Sequence, residues 1–325
     1  MQSSLVVKPR DVPIEVLKAE ALSRRLAGHH YMKKEVNQKA KNLRAGLNGE
    51  ESLDFILSFI QDDSCRILHN LRIRDYSEYF QIDNLILSPK FILINEVKNI
   101  AGTVMYDTFG QAIRISKNGE EENLGNHIEQ VNLQHLRLLN WMRQYNFPAI
   151  PIEKLVIYSS SSTIIKNPGN NKTVDKTVIH KEELLTKISE LSKKHKSAVF
   201  SEEHLNQLSA HLIDAHTPKK IDIMENFSVD RKELLCGVFC PGCGALPMAR
   251  IKGGWICPKC QLKSKNAHIP ALQHYNLLFG NKINNREARE FLKVDSSHVI
   301  KRIFRKEAFE STGNTTKRVY CLPFY

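Results

Sequence analysis

Residues 91–99 read Phe-Ile-Leu-Ile-Asn-Glu-Val-Lys-Asn and carry the clearest structural signal in the chain. The first four are apolar and predict a buried β-strand. Because successive side chains of a strand point to opposite faces, Glu96 and Lys98 should share one face and Val97 should take the other. A carboxylate at the end of an apolar strand is costly unless it is paired or bound to a metal. This stretch therefore predicts a central strand that ends in a functional site.

A second acid lies in a similar setting. Asp83 falls within the apolar run 80–87, which predicts another strand, and Ser88-Pro89-Lys90 predicts a tight turn between the two strands. Glu50 opens a segment with apolar residues at helical spacing, which predicts a helix over 50–60 that packs on the sheet. Strands are also predicted at 66–71, 102–106, 111–116 and 154–158, and a helix at 129–145. This order of elements predicts one compact α/β core.

The acids suit one kind of chemistry. Hydrolysis of a phosphodiester requires a divalent cation that polarises the phosphoryl oxygen and activates a water molecule. Mg²⁺, or Mn²⁺ in its place, prefers oxygen ligands, which Asp83, Glu96 and the carbonyl of Val97 can supply. Lys98 would steady the attacking water or the developing charge. A surface pair of Glu96 and Lys98, with Asp83 marking a turn, is the alternative that any one residue alone would favour.

The stretch from about Leu43 to about Ser162 resembles the nuclease-related domain (NERD) family, itself similar to the PD-(D/E)xK nuclease superfamily. The matching residues are Gly49-Glu50, Gln81 to Ile86, Glu96 to Asn99, Gly102, Gln111 to Arg114, and Gln130. One pair departs from the family, because Asn126-His127 stands where Asn-Pro often precedes the glutamine.

The resemblance implies a restriction-endonuclease-like central sheet flanked by helices. It places Glu50 on the first helix and Asp83, Glu96 and Lys98 on adjacent strands, as the catalytic residues. Gln130, on the following helix, would help to position metal or DNA. An inactive version that only binds DNA is also compatible with the resemblance.

Five of the seven cysteines lie within 25 residues of one another. Cys240-Pro-Gly-Cys243 and Cys257-Pro-Lys-Cys260 form two Cys-x-x-Cys knuckles, and four thiolates suit a structural zinc ion. The segment resembles a zinc ribbon, and redox chemistry is the alternative. We expect Cys236 to stay outside the ligand set and Cys65 and Cys321 to be lone cysteines.

The charge of the chain is unevenly distributed. The net charge is +12, and residues 231–325 hold 17 basic and 6 acidic side chains, a net charge of +11. A basic module joined to a nearly neutral domain is typical of proteins that bind polyanions. A solvated basic surface is the alternative, and the charge alone does not exclude it.

The basic region also carries a structural pattern. Helices are predicted at 271–279, at 285–292 and from Ser296 or Ser297 to about Lys306, followed by a hairpin over 307–322. Three helices and a hairpin resemble a winged helix-turn-helix, whose third helix enters the major groove. The predicted nucleic-acid contacts are the outward residues of that helix and the wing: His298, Lys301, Arg302, Arg305, Lys317 and Arg318. Many such domains bind proteins instead.

Together these patterns predict five regions. They are a basic helical arm (1–42), a nuclease domain (43–165), a helical extension with linker (166–230), a zinc ribbon (231–266) and a winged-helix domain (267–325). The hypothesis is a cytoplasmic DNA nuclease that uses Mg²⁺ or Mn²⁺ and structural Zn²⁺. A non-catalytic DNA-binding regulator is the main alternative, RNA is a possible substrate, and a homodimer is possible. No apolar run is long enough for a membrane span, and no secretory signal is expected.

Overall fold

A computed structural model describes residues 5–76, 78–116, 118–314 and 318–325. The chain divides into two compact units. Unit 1 comprises Met1–Val12 and Arg44–Lys219, and unit 2 comprises Pro13–Leu43 and Lys220–Tyr325. Among the described helices, none combines the length and apolar character needed to cross a membrane.

The helices and strands confirm the mixed α/β class that the sequence predicts. The helices are α1 (Ile14–Arg25), α2 (Lys33–Leu57), α3 (His127–Gln144), α4 (Lys172–Thr177), α5 (Leu184–Lys194), α6 (Glu202–Ala215), α7 (Ile223–Asn226), α8 (His268–Phe279), α9 (Asn285–Leu292) and α10 (Ser297–Lys306). The strands of unit 1 are β1 (Val6–Lys8), β2 (Arg66–Asp75), β3 (Glu78–Leu87), β4 (Ile92–Lys98), β5 (Gly102–Tyr106), β6 (Ala112–Ile115), β7 (Glu121–Gly125), β8 (Ile152–Tyr158), β9 (Thr163–Lys166) and β10 (Val178–His180). Those of unit 2 are β11 (Ala249–Ile251), β12 (Gly254–Ile256), β13 (Lys263–Ser264), β14 (Lys282–Asn284), β15 (Ser311–Thr312) and β16 (Val319–Cys321).

Unit 1 is built on a six-stranded sheet in the order β1-β2-β3-β4-β8-β10. Strands β2, β3 and β4 form an antiparallel meander. Strand β8 pairs with β4 in parallel and brings Tyr158 beside Lys98. A parallel pair needs a crossover connection, and the chain between β4 and β8 supplies α3 together with three strands of a small sheet. That second sheet has the order β7-β6-β5-β9.

The two faces of the main sheet bury separate cores. Consecutive residues such as Leu93 and Ile94 belong to different clusters, as the two-residue period of a strand requires. One cluster packs against α3 and α6, and the other packs against Leu53 and Leu57 of α2. A strand that is apolar on both faces must lie in the middle of a layered α/β domain, which is where β4 lies.

Some predicted boundaries are wrong in detail. The helix expected at 50–60 is the end of the longer α2, and it ends at Leu57. Strand β7 was not predicted, because Glu-Glu-Asn-Leu-Gly is polar and lacks alternation. The segment expected to be a linker places Ile223 and Val229 in a core cluster of unit 2 with residues of α1 and α2.

The two small sheets of unit 2 share one of its core clusters with the C-terminal helices. The ribbon strands β11, β12 and β13 form one sheet, and β14, β16 and β15 form the other in that order. Cys240, Cys257 and Trp255 of the ribbon belong to the same cluster as Leu272 of α8 and Phe304 of α10. The ribbon and the three helices are therefore packed as one body.

Helix α1 is part of this body. Its last residue, Arg25, is fully buried and donates through Nη1 to the carbonyls of Leu235 and Gly237 at 2.8 and 3.0 Å. The guanidinium lies 4.3 Å from the centre of the Phe291 ring. A buried cation that binds two carbonyls and an aromatic face fixes α1 in place.

Candidate functional site

Asp83 lies where β3 and β4 stop pairing. The two strands stay in register up to Asn84 and Asn95. Beyond that pair, Oδ2 of Asp83 accepts the backbone N–H of Val97 at 2.9 Å. A side-chain carboxylate therefore satisfies a backbone donor of the central strand, at the point where the sheet opens.

Glu96 is the most heavily bonded acid of the site and is 4% exposed. Its Oε1 atom accepts hydrogen bonds from Lys98 Nζ and from Gln130 Nε2, both at 2.7 Å. Its Oε2 atom accepts from Gln134 Nε2 at 2.6 Å. Lys98 Nζ also donates to Gln130 Oε1 at 2.9 Å, which closes a triangle of three side chains. Helix α3 and strand β4 thus hold one carboxylate and one ammonium group in fixed positions.

Val97 separates the two members of that pair. Its side chain is buried in the cluster that packs against α2, on the face opposite to Glu96 and Lys98. The alternation expected from the sequence therefore brings Glu96 and Lys98 to one face.

Glu50 approaches from α2. Its Oε2 atom accepts a hydrogen bond of 2.6 Å from Arg10 Nη1. Among the described residues, one group of three or more potential metal ligands has all its ligand atoms within 4.8 Å of one another. That group consists of Cys240, Cys243, Cys257 and Cys260 and does not include the acids. Glu50, Asp83 and Glu96 are more widely spaced than that, although their charges interact.

These charges affect the pKa values of Asp83 and Glu50. Burial raises the pKa of Asp83 well above its usual value, and the charges of Glu96 and Glu50 raise it further. Burial also raises the pKa of Glu50 to about 7, against the opposing effect of Arg10. Neighbouring carboxylates whose charges raise the pKa of Asp83 concentrate negative charge, which a divalent cation would neutralise. Oε1 of Gln134, buried and without a partner among the described residues, is a further acceptor there. The donor set therefore fits a hard divalent cation.

Gly49 allows α2 to pack closely against Asn99 and Ser159. A Cβ atom at Gly49 would lie 2.5 Å from Asn99 Cβ and 2.7 Å from Ser159 Oγ. Asn99 Nδ2 also donates to the carbonyl of Ala45 at 2.6 Å. The Gly-Glu pair and the Asn that follows Glu96-Val97-Lys98 are thus neighbours in space, and together they set the position of Glu50.

Helix α3 begins cleanly despite the departure at His127. The Asn126 side chain accepts hydrogen bonds from the backbone N–H groups of Ile128 and Glu129 at 3.1 and 3.0 Å. Such an N-cap satisfies donors that have no partner within the helix. The cap therefore fixes the start of the helix that carries Gln130.

Two residues of the site were missed by sequence reasoning. Gln134 lies four residues after Gln130 and therefore on the same helix face, a signal that was available. Arg10 comes from a distant segment, and no local pattern links it to Glu50.

The four knuckle cysteines form a second candidate site, in unit 2. The Sγ atoms of Cys240 and Cys260 are 3.6 Å apart, and those of Cys243 and Cys257 are 3.5 Å apart. Zinc–sulfur bonds of about 2.3 Å place tetrahedral sulfurs about 3.8 Å apart, close to these distances. Hydrogen bonds from the backbone of Cys243 and then Gly242 lower the pKa of Cys240 to about 6, against burial. The cluster is compatible with a zinc ribbon.

The two knuckles adopt the same type of turn. Gly244 N donates to Cys240 O at 3.0 Å, and Gln261 N donates to Cys257 O at 2.9 Å. Both donors adopt positive φ, of 72° and 59°. Cys236 lies outside the cluster.

The basic residues of α10 lie on its outer side. His298, Lys301, Arg302 and Arg305 are exposed, whereas Ile300, Ile303 and Phe304 are buried. Ser296 occupies the N-cap position of α10, and its side chain makes no capping hydrogen bond. Arg318 is exposed before β16, and Lys317 lies outside the described residues.

The ribbon adds a cation to this face. Burial lowers the pKa of Arg250 on β11, and the nearby charge of Arg302 lowers it further. Lys306, at the end of α10, pairs with Glu307 at 3.6 Å. Among the described residues, Lys301, Arg302 and Arg305 form no ion pair with a carboxylate, so their charge is available to a ligand.

No protein with a curated description and no solved structure shows significant similarity to the chain. Residues 45–159 match the family model of the nuclease-related domain, NERD. The matched segment, about a third of the chain, contains Glu50, Asp83, Glu96, Lys98 and Gln130. This protein therefore carries a nuclease-related domain over residues 45–159.

Proposed function

We propose that the protein is a metal-dependent nuclease that hydrolyses phosphodiester bonds of DNA. The observation that carries this proposal is the convergence of Asp83, Glu96 and Lys98 at the opening between β3 and β4. A domain that served only as a scaffold would gain nothing from burying mutually repelling carboxylates beside a lysine.

Each residue has a role in this proposal. Asp83 and Glu96, with the carbonyl of Val97, would hold Mg²⁺ or Mn²⁺, and Glu50 would support the same site. When bound, the cation supplies the Lewis acid for the phosphoryl oxygen. Lys98 would steady the attacking water or the charge on the phosphate, and Gln130 holds Lys98 in place.

Unit 2 would bind the DNA. Zn²⁺ on the four cysteines would be structural, because four thiolates leave no open position for catalysis. Three helices with a small antiparallel sheet support a winged-helix assignment, with α10 in the major groove and Arg318 near phosphate. The exposed cations of α10 and the net charge of +11 over residues 231–325 support this part of the proposal.

A non-catalytic DNA-binding regulator is the second candidate. The observation that favours it is that the basic face of α10 is complete without any contribution from the carboxylate site. RNA would satisfy the same phosphate contacts and is tested in parallel.

Cleavage of supercoiled plasmid tests the proposal. The purified protein is incubated with Mg²⁺ or Mn²⁺, with and without EDTA, beside the Asp83→Asn and Lys98→Ala variants. Asp75→Asn is the matched control, because Asp75 is a buried carboxylate of the same sheet that pairs with Arg137 instead.

We expect metal-dependent nicking or linearisation by the wild type and the control, and none by the other two variants. Unchanged DNA affinity of those variants in a gel shift would assign the loss to chemistry. Tight DNA binding without cleavage by the wild type would favour the regulator. Preferential cleavage of RNA of the same sequence would replace DNA as the substrate.

A further inference from the structure

Arg10 is the most heavily used cation near the carboxylate site, and its side chain is 4% exposed. Nη1 donates to Glu50 Oε2 at 2.6 Å and to Asn70 Oδ1 at 3.3 Å. Nε and Nη2 donate to the two carboxylate oxygens of Asp54 at 3.2 and 2.9 Å. Nη2 also contacts His69 Nδ1 at 2.8 Å. All three nitrogens of the guanidinium are therefore engaged.

These contacts bridge two elements of the site. Glu50 and Asp54 lie one turn apart on α2, and His69 and Asn70 lie on β2. A planar guanidinium can bind two carboxylates and two further acceptors at once, which an ammonium group cannot do with the same geometry. Arg10 thereby fixes the face of α2 that carries Glu50 against the sheet.

The state of His69 keeps this arrangement constant near neutral pH. Its Nδ1 atom is contacted by Arg10 and by Asn84 Nδ2 at 3.2 Å, both of which are donors. Nδ1 must therefore accept, so the ring is neutral and its proton is on Nε2. Burial, with the charge of Arg10, lowers the pKa of His69 to about 4.

Arg10 also lies outside the family match, which begins at residue 45. It comes from the segment that follows β1, and β1 is the edge strand added in parallel to β2. The segment therefore brings to the site a cation that the matched domain does not contain.

We propose that Arg10 is a positioning residue of the carboxylate site. It holds Glu50 in the orientation in which Glu50 supports binding of a divalent cation, without contacting the cation or the DNA. The inference rests on the proposed metal-dependent nuclease. Without Arg10, the largely buried Glu50 would lose its counter-charge and would turn away or take up a proton.

The test measures Mn²⁺ affinity of the full-length, zinc-loaded protein by isothermal titration calorimetry. We expect Arg10→Gln to weaken Mn²⁺ binding by roughly 10- to 100-fold, the usual effect of losing a group that orients a metal ligand. Cleavage by this variant should fall at low Mn²⁺ and recover at saturating Mn²⁺. Asp83→Asn identifies the site, because it should abolish this binding.

Arg66→Gln is the matched control. Like Arg10, Arg66 is a buried arginine. It lies on β2, bonds Asn206 and Glu202, and does not contact Glu50. We expect Arg66→Gln to lower thermal stability to a similar extent while leaving the Mn²⁺ Kd unchanged. If Arg10→Gln fails to fold, Arg10→Lys replaces it, and several-fold weaker Mn²⁺ binding is expected because lysine cannot bridge Glu50 and Asp54.

The outcomes separate the two proposals. A wild type that cleaves DNA and binds Mn²⁺, with wild-type affinity in a folded Arg10 variant, overturns the role of Arg10 and leaves the nuclease intact. A wild type that neither binds Mn²⁺ at the Asp83 site nor cleaves overturns both. Equal weakening in the Arg10 and Arg66 variants reduces Arg10 to a general structural role and also overturns the inference.

Discussion

Oδ2 of Asp83 accepts the backbone N–H of Val97 at 2.9 Å, so a candidate metal ligand also terminates the pairing of the two central strands. The bond lowers the pKa of Asp83, but burial and the charges of Glu96 and Glu50 have the larger, opposite effect. Asp83 is thus held in place by the backbone and destabilised by its neighbours. This balance leads to the first prediction.

Asp83→Asn should abolish cleavage yet stabilise the metal-free protein. Asparagine can still accept the Val97 N–H, and it removes one of the repelling charges. In EDTA at pH 7.5 we expect the melting temperature to rise by roughly 2–4 °C, as about 1 kcal/mol would give in a domain of this size. Calorimetry in EDTA measures the shift.

The sign follows from raised pKa values in the folded state. Acids of this kind contribute stability below their unfolded pKa, and that stability is lost as the pH rises through the folded pKa, which for Glu50 is about 7. The metal-free wild type should therefore lose stability between about pH 4.5 and pH 7. The advantage of Asp83→Asn should shrink at pH 5. An unchanged or lower melting temperature at both pH values would contradict the charge argument.

Gln134→Leu should reduce kcat and leave DNA affinity unchanged. Gln134 supplies the hydrogen bond to Oε2 of Glu96, and leucine fills the same buried space without a donor. One hydrogen bond to a charged group is worth about 1.5–3 kcal/mol, so we expect roughly a 10- to 100-fold loss. Steady-state cleavage and a gel shift separate the two effects. Gln144→Ala, at the exposed end of α3, is the control, and an equal loss there would remove the specific role.

Gly49→Ala should destabilise unit 1 and impair the site. The added Cβ would lie 2.5 Å from Asn99 Cβ, so α2 must move and carry Glu50 with it. Overpacking of this kind costs roughly 1–3 kcal/mol. Urea unfolding gives the free energy. Gly46→Ala is the matched control, because it lies on the same helix with no atom within 4 Å of the added Cβ. It should be neutral or stabilising by up to about 1 kcal/mol, and equal costs at both glycines would contradict the close-approach argument.

Removal of zinc should loosen the core cluster that the cysteine ribbon shares with α8 and α10. Cys240, Cys257 and Trp255 share one hydrophobic cluster with α8 and α10. Trp141 and Trp255 are the two tryptophans of the chain, so Trp141→Phe leaves Trp255 as the sole reporter. We expect one zinc per chain in purified protein, and a red shift of Trp255 emission when a chelator removes it. Cys236→Ser should keep the metal, and a zinc content near zero in the wild type would exclude the ribbon.

Arg302→Ala should weaken DNA binding and flatten its salt dependence. The plot of log K against log salt has a negative slope, and loss of one phosphate contact reduces the magnitude of that slope by about 1. Fluorescence anisotropy at several salt concentrations gives the slope. Lys232→Ala removes an exposed cation of unit 2 outside α10 and serves as the control. Equal slopes for the two variants would reduce α10 to part of a diffuse basic surface.

The sequence by itself determined the central strand and the face that Glu96 and Lys98 share. Apolar residues on both faces of 91–97 require a buried position, and the two-residue period brings Glu96 and Lys98 to one face. The paired Cys-x-x-Cys knuckles were equally explicit, because the spacing of the thiolates is a local property. Periodicity and turn residues act over a few positions, so the strand and the knuckles can be predicted from the sequence.

The tertiary structure decided how distant groups combine. Arg10 reaches Glu50 because β1 adds to the edge of the sheet, and Gly49 is needed because α2 passes close to Asn99 and Ser159. The ribbon shares a core with α8 and α10, and α1 is fixed in that unit by Arg25. These relationships arise from packing and charge neutralisation between segments far apart in the chain, and no local pattern of residue types encodes such contacts.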